Sequence, residues 1–314
     1  MKILRNLAMV ISIVTLLFSA VIFTPHPVLQ RATHPPVHVK PGLTQTTPFS
    51  IPVWSALIAL ANHQVVNPIA AITSIINETS TPTRTPNNQD LPKMIKFPEE
   101  GIPVLMYHSI STIPGNSLGV PVKQFTEEME WLHRQNYHSL SLEEFHQALV
   151  NKTPVPDKPI LLTFDDGYSD NYSEAWPTLR QNGFKATFFV VTNSIGPGMM
   201  NWDQLNDLTN QGNSIGSHTV HHFDLATLSH QQQENELKIS KQELENHLGI
   251  SEQALCFPSG RYNKTTLELM PQLGYNLGFT TNPGKVHLGD DLLTLKRVRI
   301  SGGMSLASFQ QMFP

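Results

Sequence analysis

From Gly101 onward, apolar and polar positions alternate in two rhythms. Residues 102–107, 159–164, 185–191, 214–217, 255–257 and 277–280 read as short, nearly continuous apolar strands. Between them, Val122, Phe125, Met129 and Leu132 fall at helical spacing, and residues 172–181, 202–209 and 264–273 read as helices. Ser229 and Gln232 form a capping box for a further helix running to Leu248. Strands that are apolar on both faces and alternate with helices predict an α/β fold with a parallel sheet covered by helices. With about seven or eight such strands, closure into a barrel is the expected architecture. The functional residues then belong at the C-terminal ends of the strands.

The first hundred residues follow a different pattern. Lys2 and Arg5 precede an uncharged, mostly apolar run from Leu7 to Phe23, the layout of a signal peptide or membrane anchor. No clean small-residue cleavage site follows near Ser19 and Ala20, so residues 1–23 are expected to stay as an anchor. Half of the 24 prolines lie before residue 100, but of the 18 glycines only Gly42 does. Residues 24–98 therefore read as a Pro/Thr-rich linker, interrupted by an apolar island at 53–76 that carries Trp54, Leu57 and Ile58. The catalytic domain is expected over 99–314, exported and either anchored facing the periplasm or the cell exterior, or secreted.

Composition narrows the function classes. A net charge of -4 argues against a nucleic-acid partner, which calls for a basic surface. The single cysteine, Cys256, excludes an intramolecular disulfide and a cysteine-rich zinc module.

Two local patterns carry chemistry. In Thr163-Phe164-Asp165-Asp166-Gly167-Tyr168 an apolar strand ends on two adjacent carboxylates, which repel each other unless something compensates. A cation is one such compensator; a surface Asp-Asp-Gly turn is the bland alternative. In Ser217-His218-Thr219-Val220-His221-His222, the two outer imidazoles are four residues apart and share a face if the segment is helical, with His221 a bystander. One Asp and two His give a three-ligand site with an open position, as in catalytic zinc centres, and the second carboxylate is free to act as a base.

These two motifs, in this order, resemble those of polysaccharide deacetylases with the NodB-homology fold, carbohydrate esterase family four, from about Gly101 onward. The segment Pro103-Val104-Leu105-Met106-Tyr107-His108 resembles the subgroup acting on poly-N-acetylglucosamine. The resemblance implies a distorted seven-stranded barrel, Asp165 as catalytic base, and Asp166, His218 and His222 as ligands of a divalent metal, foremost Zn2+, with Co2+ or Ni2+ as alternatives. It implies His108 as general acid, with His287 a weaker candidate, and the backbone N–H near Ser259 as an oxyanion donor. Tyr168 and Trp202 are candidate sugar-stacking residues.

The sequence also departs from the family pattern. Ser259 stands where the family has tyrosine, and Leu255 where many members have an arginine that orients the base. Arg261, Arg297 and Arg299 are the available substitutes. The expected function is a metal-dependent N-deacetylase of an N-acetylglucosamine-containing polysaccharide, working as a monomer. The alternatives are an O-acetyl esterase on xylan or a similar glycan, and a non-catalytic glycan-binding relative.

Overall fold

The computed structural model describes residues 92–251 and 253–313. The expected anchor and the apolar island lie outside the described residues. Among the described residues, no helix is long and apolar enough to cross a membrane.

The chain forms strands β1 (Met94–Ile95), β2 (Val104–Tyr107), β3 (His138–Ser139), β4 (Val155–Pro156), β5 (Pro159–Phe164), β6 (Thr187–Val190), β7 (Ser214–Ser217), β8 (Ala254–Cys256), β9 (Leu277–Pro283) and β10 (Leu295–Arg299). Its helices are α1 (Val122–Arg134), α2 (Leu142–Val150), α3 (Trp176–Gln181), α4 (Trp202–Asn210), α5 (His230–Leu248), α6 (Lys264–Gln272) and α7 (Leu306–Gln310). β2, β10, β9, β8, β7, β6 and β5 pair in that order, and β5 pairs back to β2, which closes a seven-stranded parallel barrel. The ring is uneven: β2 and β5 share four residue pairs, but β7 and β8 only Ser217↔Leu255. β3 attaches to the start of β5. β1 pairs with β4 and Phe97 is buried, so folded chain replaces the expected linker by Met94.

Strand alternation sorts the side chains. Leu105, Tyr107, Ile160, Leu162, Phe164, Phe188 and Val190 face out and pack against the helices, while Val104, Leu161, Phe189, Cys256, Phe279 and Leu295 fill the barrel. Gly216 has no side chain because Phe189 needs its place: a Cβ there would lie 2.4 Å from the ring. α5 starts at Ser229 with the expected capping box and ends on Gly249 at φ 64°. The helix expected over 172–181 begins instead as a π-helical turn at Asn171–Ala175 and becomes α3 only at Trp176. Asn171 is wholly buried there and spends its side-chain N–H on the His108 carbonyl, which fits the tendency of π-turns to sit at functional sites.

Candidate active site

Asp165 continues the inward series of β5, after Leu161 and Thr163, and is buried at the top of the barrel. Arg297 on β10 reaches it from across the interior. Its Nη1 donates to Asp165 Oδ1 at 2.8 Å and its Nη2 to Oδ2 at 2.7 Å. This is a bidentate pair, the strongest geometry available to a carboxylate. Burial works against a charge on Asp165, but the Arg297 guanidinium holds its carboxyl well below the usual carboxylate range. Of the three candidate arginines, Arg297 is the one that pairs with Asp165. Leu255 faces outward into the packing around Leu237 and Met270, and Arg261 pairs with Asp224.

Asp166 turns the other way. Its φ of 74° ends the strand, and Gly167 follows at φ 83°. Asp166 Oδ1 lies 3.4 Å from Nε2 of His218 and 3.4 Å from Nε2 of His222. The two imidazoles do not share a helix face. β7 ends at Ser217, and positive φ at Thr219 (68°) and His222 (60°) folds the loop back so that both rings meet the same oxygen. The stored strain costs of order 1–3 kcal/mol per residue and is held by the surrounding contacts.

Glu236 on α5 supplies those contacts, a role not assigned from sequence. Its buried carboxylate accepts the backbone N–H groups of Val220 (3.0 Å) and His221 (2.8 Å) and the His221 ring at 2.6 Å. A glutamate on the buried face of α5, beside Gln233, Leu237 and Ser240, was the available signal. His221 is occupied there and does not face Asp166.

The donor set fits a divalent ion. His218 Nδ1 bonds the Cys256 carbonyl at 2.8 Å, which leaves Nε2 as the lone-pair nitrogen on the Asp166 side. Two ligands about 2.0–2.1 Å from a tetrahedral ion stand roughly 3.4 Å apart, the spacing of Asp166 Oδ1 from each imidazole nitrogen. Burial disfavours protonation of His222 and lowers its pKa. A neutral imidazole is the form that binds metal.

The surrounding cleft is lined by His108, Leu118, Asp165, Asp166, His218, His222, Phe257, Ser259, Thr281 and Arg299. His108 follows β2 and puts Nε2 3.8 Å from Asp165 Oδ2. Burial lowers its pKa, against the opposing pull of Asp165 and Asp166. Ser259 is exposed in the cleft with φ 53°. Tyr168 stands next to Asp166; burial, and then that carboxylate, push its phenol up to about 12.

Two expected residues are elsewhere. Trp202 stacks on His247 at 4.0 Å between α4 and α5 and does not line the cleft. His287 lies beside Gly101 and Val286, next to the Ile102↔Val286 bridge that precedes β2, at the opposite end of the barrel.

A family model for polysaccharide deacetylases matches residues 152–278. YxkH of Bacillus subtilis, assigned by name to the same family, is 41% identical over 209 residues, covering 66% of this chain and 74% of its own. The chain belongs to the polysaccharide deacetylase family. The deacetylase also superposes on the Streptococcus pyogenes deacetylase PplD, solved in complex with acetate, with a TM-score of 0.65 and 34% identity over 71% of this chain and 100% of that one. The poly-beta-1,6-N-acetyl-D-glucosamine N-deacetylase of Staphylococcus epidermidis is 24% identical to it over 266 residues, 74% of this chain and 91% of that protein. As a deacetylase it is a hydrolase, and its substrates are polysaccharides.

Proposed function

We propose that this deacetylase is a divalent-metal-dependent amidase that removes N-acetyl groups from an N-acetylglucosamine-containing polysaccharide of a biofilm or cell wall, releasing acetate. The observation that carries the reading is the pair of neighbouring carboxylates. Asp165 is locked to Arg297, while Asp166 is shared by the Nε2 atoms of His218 and His222 at 3.4 Å each. Asp166, His218 and His222 hold the cation, foremost Zn2+. When bound, it supplies Lewis acidity towards the acetamide carbonyl and makes water a competent nucleophile near neutral pH.

The protein groups do the rest. Asp165, kept ionised by Arg297, takes the proton of the attacking water through Oδ2, the oxygen on the His108 side. The backbone N–H near Ser259, a residue lining the cleft, donates to the developing oxyanion. His108 delivers a proton to the leaving amine from the same side as Asp165 Oδ2. The proton that Asp165 takes from water passes to His108, whose Nε2 is 3.8 Å from Asp165 Oδ2, and on to the amine, so His108 starts neutral, the form that burial favours. Amides require this help at the leaving group more than esters do, which favours the amidase over the O-acetyl esterase.

The basic residues and apolar run at positions 2–23 support export, with this segment as a membrane anchor. Catalysis is assigned to a single chain, since every group named comes from one barrel rim. Acetate release is to be measured from β-1,6- and β-1,4-linked N-acetylglucosamine oligomers and from acetylated xylan, with and without chelation and metal return. Chelation is expected to abolish release from the glucosamine polymers and zinc to restore it. Release from xylan alone would overturn the substrate, and full activity in chelator would overturn the metal.

A further inference from the structure

Arg297 has five N–H donors and is wholly buried, so each requires an acceptor. Four go to oxygens: Nε to the Thr280 carbonyl at 2.8 Å, Nη1 to Thr163 Oγ1 at 3.2 Å and to Asp165 Oδ1 at 2.8 Å, and Nη2 to Asp165 Oδ2 at 2.7 Å. The fifth, the second hydrogen of Nη2, goes to Cys256 Sγ at 3.1 Å. That sulfur is also 3.5 Å from Asp165 Oδ2, and the Cys256 carbonyl accepts from His218 Nδ1 at 2.8 Å. One residue thus touches the carboxylate, its arginine and one of the two imidazoles.

We propose that Cys256 is a positioning residue for catalysis: its sulfur takes the last donor of Arg297 and directs its own S–H at Asp165, fixing the guanidinium fork squarely on the base, while its carbonyl fixes the tautomer of His218. This rests on the reading of Asp165 as the base. The geometry leaves the sulfur no other task. The side chain is fully buried, and the adjacent Leu255 packs on the opposite face of β8. A neutral sulfur suits the position because it accepts weakly from Arg297 and donates weakly to Asp165. It completes the shell without competing for the carboxylate, as a second acid or amide would. The carbonyl contact belongs to the backbone and survives substitution of the side chain; the sulfur contacts do not.

The test uses the full-length, zinc-loaded protein with Cys256→Ala, Cys256→Ser and Asp165→Asn. Bound zinc per chain is measured by elemental analysis, and kcat and KM from acetate release on N-acetylglucosamine oligomers. Cys256→Ala leaves one N–H of a buried guanidinium without an acceptor. It is expected to lower kcat ten- to a hundredfold with KM within twofold and zinc unchanged. Cys256→Ser, of nearly the same size as the alanine variant but with an acceptor, is expected to recover most of the loss. If the alanine variant does not fold, Cys256→Val fills the space without an acceptor and takes its place in the comparison. A non-accepting variant with wild-type kcat, or a serine variant as impaired as the non-accepting one, overturns the proposal. Asp165→Asn separates this from the underlying reading. Wild-type turnover in that variant removes the base assignment and this proposal with it, whereas an inactive Asp165→Asn beside a fully active Cys256→Ala removes only the role of the thiol.

Discussion

Asp165 points into the closed barrel, where Arg297 grips both of its oxygens at 2.7–2.8 Å, whereas Asp166, the next residue, turns at φ 74° to face two imidazoles at 3.4 Å. The first carboxylate is 3% exposed at the side chain and the second 17%. The difference shows how one strand end assigns two tasks to identical side chains. In the proposed reading, the carboxylate whose charge must persist is saturated with donors, and the one that ligates the cation is left short of them.

The comparison breaks most sharply at the metal side. Asp166→Ala or His218→Ala should lose bound zinc on dialysis and lower acetate release by at least ~10³-fold; an active, zinc-replete variant would remove the ligand assignment. Asp165→Asn should retain zinc and lose ~10²–10⁴-fold in kcat. His108→Ala should lose on the order of 10²-fold on an acetamide and clearly less on an aryl acetate, because the ester leaving group needs no proton. Equal losses on both would argue for a structural role of His108. Arg297→Met strands a buried carboxylate and should cost about 3–5 kcal/mol of stability by urea unfolding. Adding Asp165→Asn to it should return part of that, and strict additivity would show that the two side chains are uncoupled.

The smallest effect expected lies outside the site, where another buried carboxylate has no cationic partner among the described residues. Glu128 on α1 accepts from Tyr107 Oη at 2.8 Å and from Gln124 at 2.8 Å, and burial raises its pKa to about 7. Between about 4.5 and 7 the folded state therefore holds more protons on Glu128 than the unfolded state does. Its contribution is fully present below that window and is lost as pH rises through it, by up to roughly 3 kcal/mol. The Glu128→Gln protein should lack this slope in urea midpoints taken between pH 4.5 and 7.5; parallel curves for the two proteins would refute it.

Much of this was legible in the sequence, for identifiable reasons. The barrel strands are apolar on both faces, so periodicity finds them, and the Asp165-Asp166 and His218–His222 motifs sit directly at strand ends where the chain's direction is fixed. The loop from His218 to His222 was not legible as built. Spacing of four suggests a helix, and only the positive φ values at Thr219 and His222, held by Glu236, replace it. Arg297 stood among three candidates because the contact spans 132 residues and depends on inward parity along β10. Trp202 illustrates the converse. An aromatic near the catalytic motifs invites a sugar-stacking role, but its face is already covered by His247. His287 is excluded by the direction of the strand that follows it, since a loop preceding β2 or β10 opens at the far end of the barrel.

The closing position of β10 has a consequence for how activity arises during synthesis. β10 is the last barrel strand to emerge, yet it slots between β2 and β9 and delivers the partner of Asp165. A nascent chain that has already made the Asp165-Asp166 and His218–His222 motifs still has an open edge and an unmatched charge in its interior. Folding to competence is therefore a late, long-range event, and prematurely terminated chains lacking β10 would be inert and prone to strand-edge association.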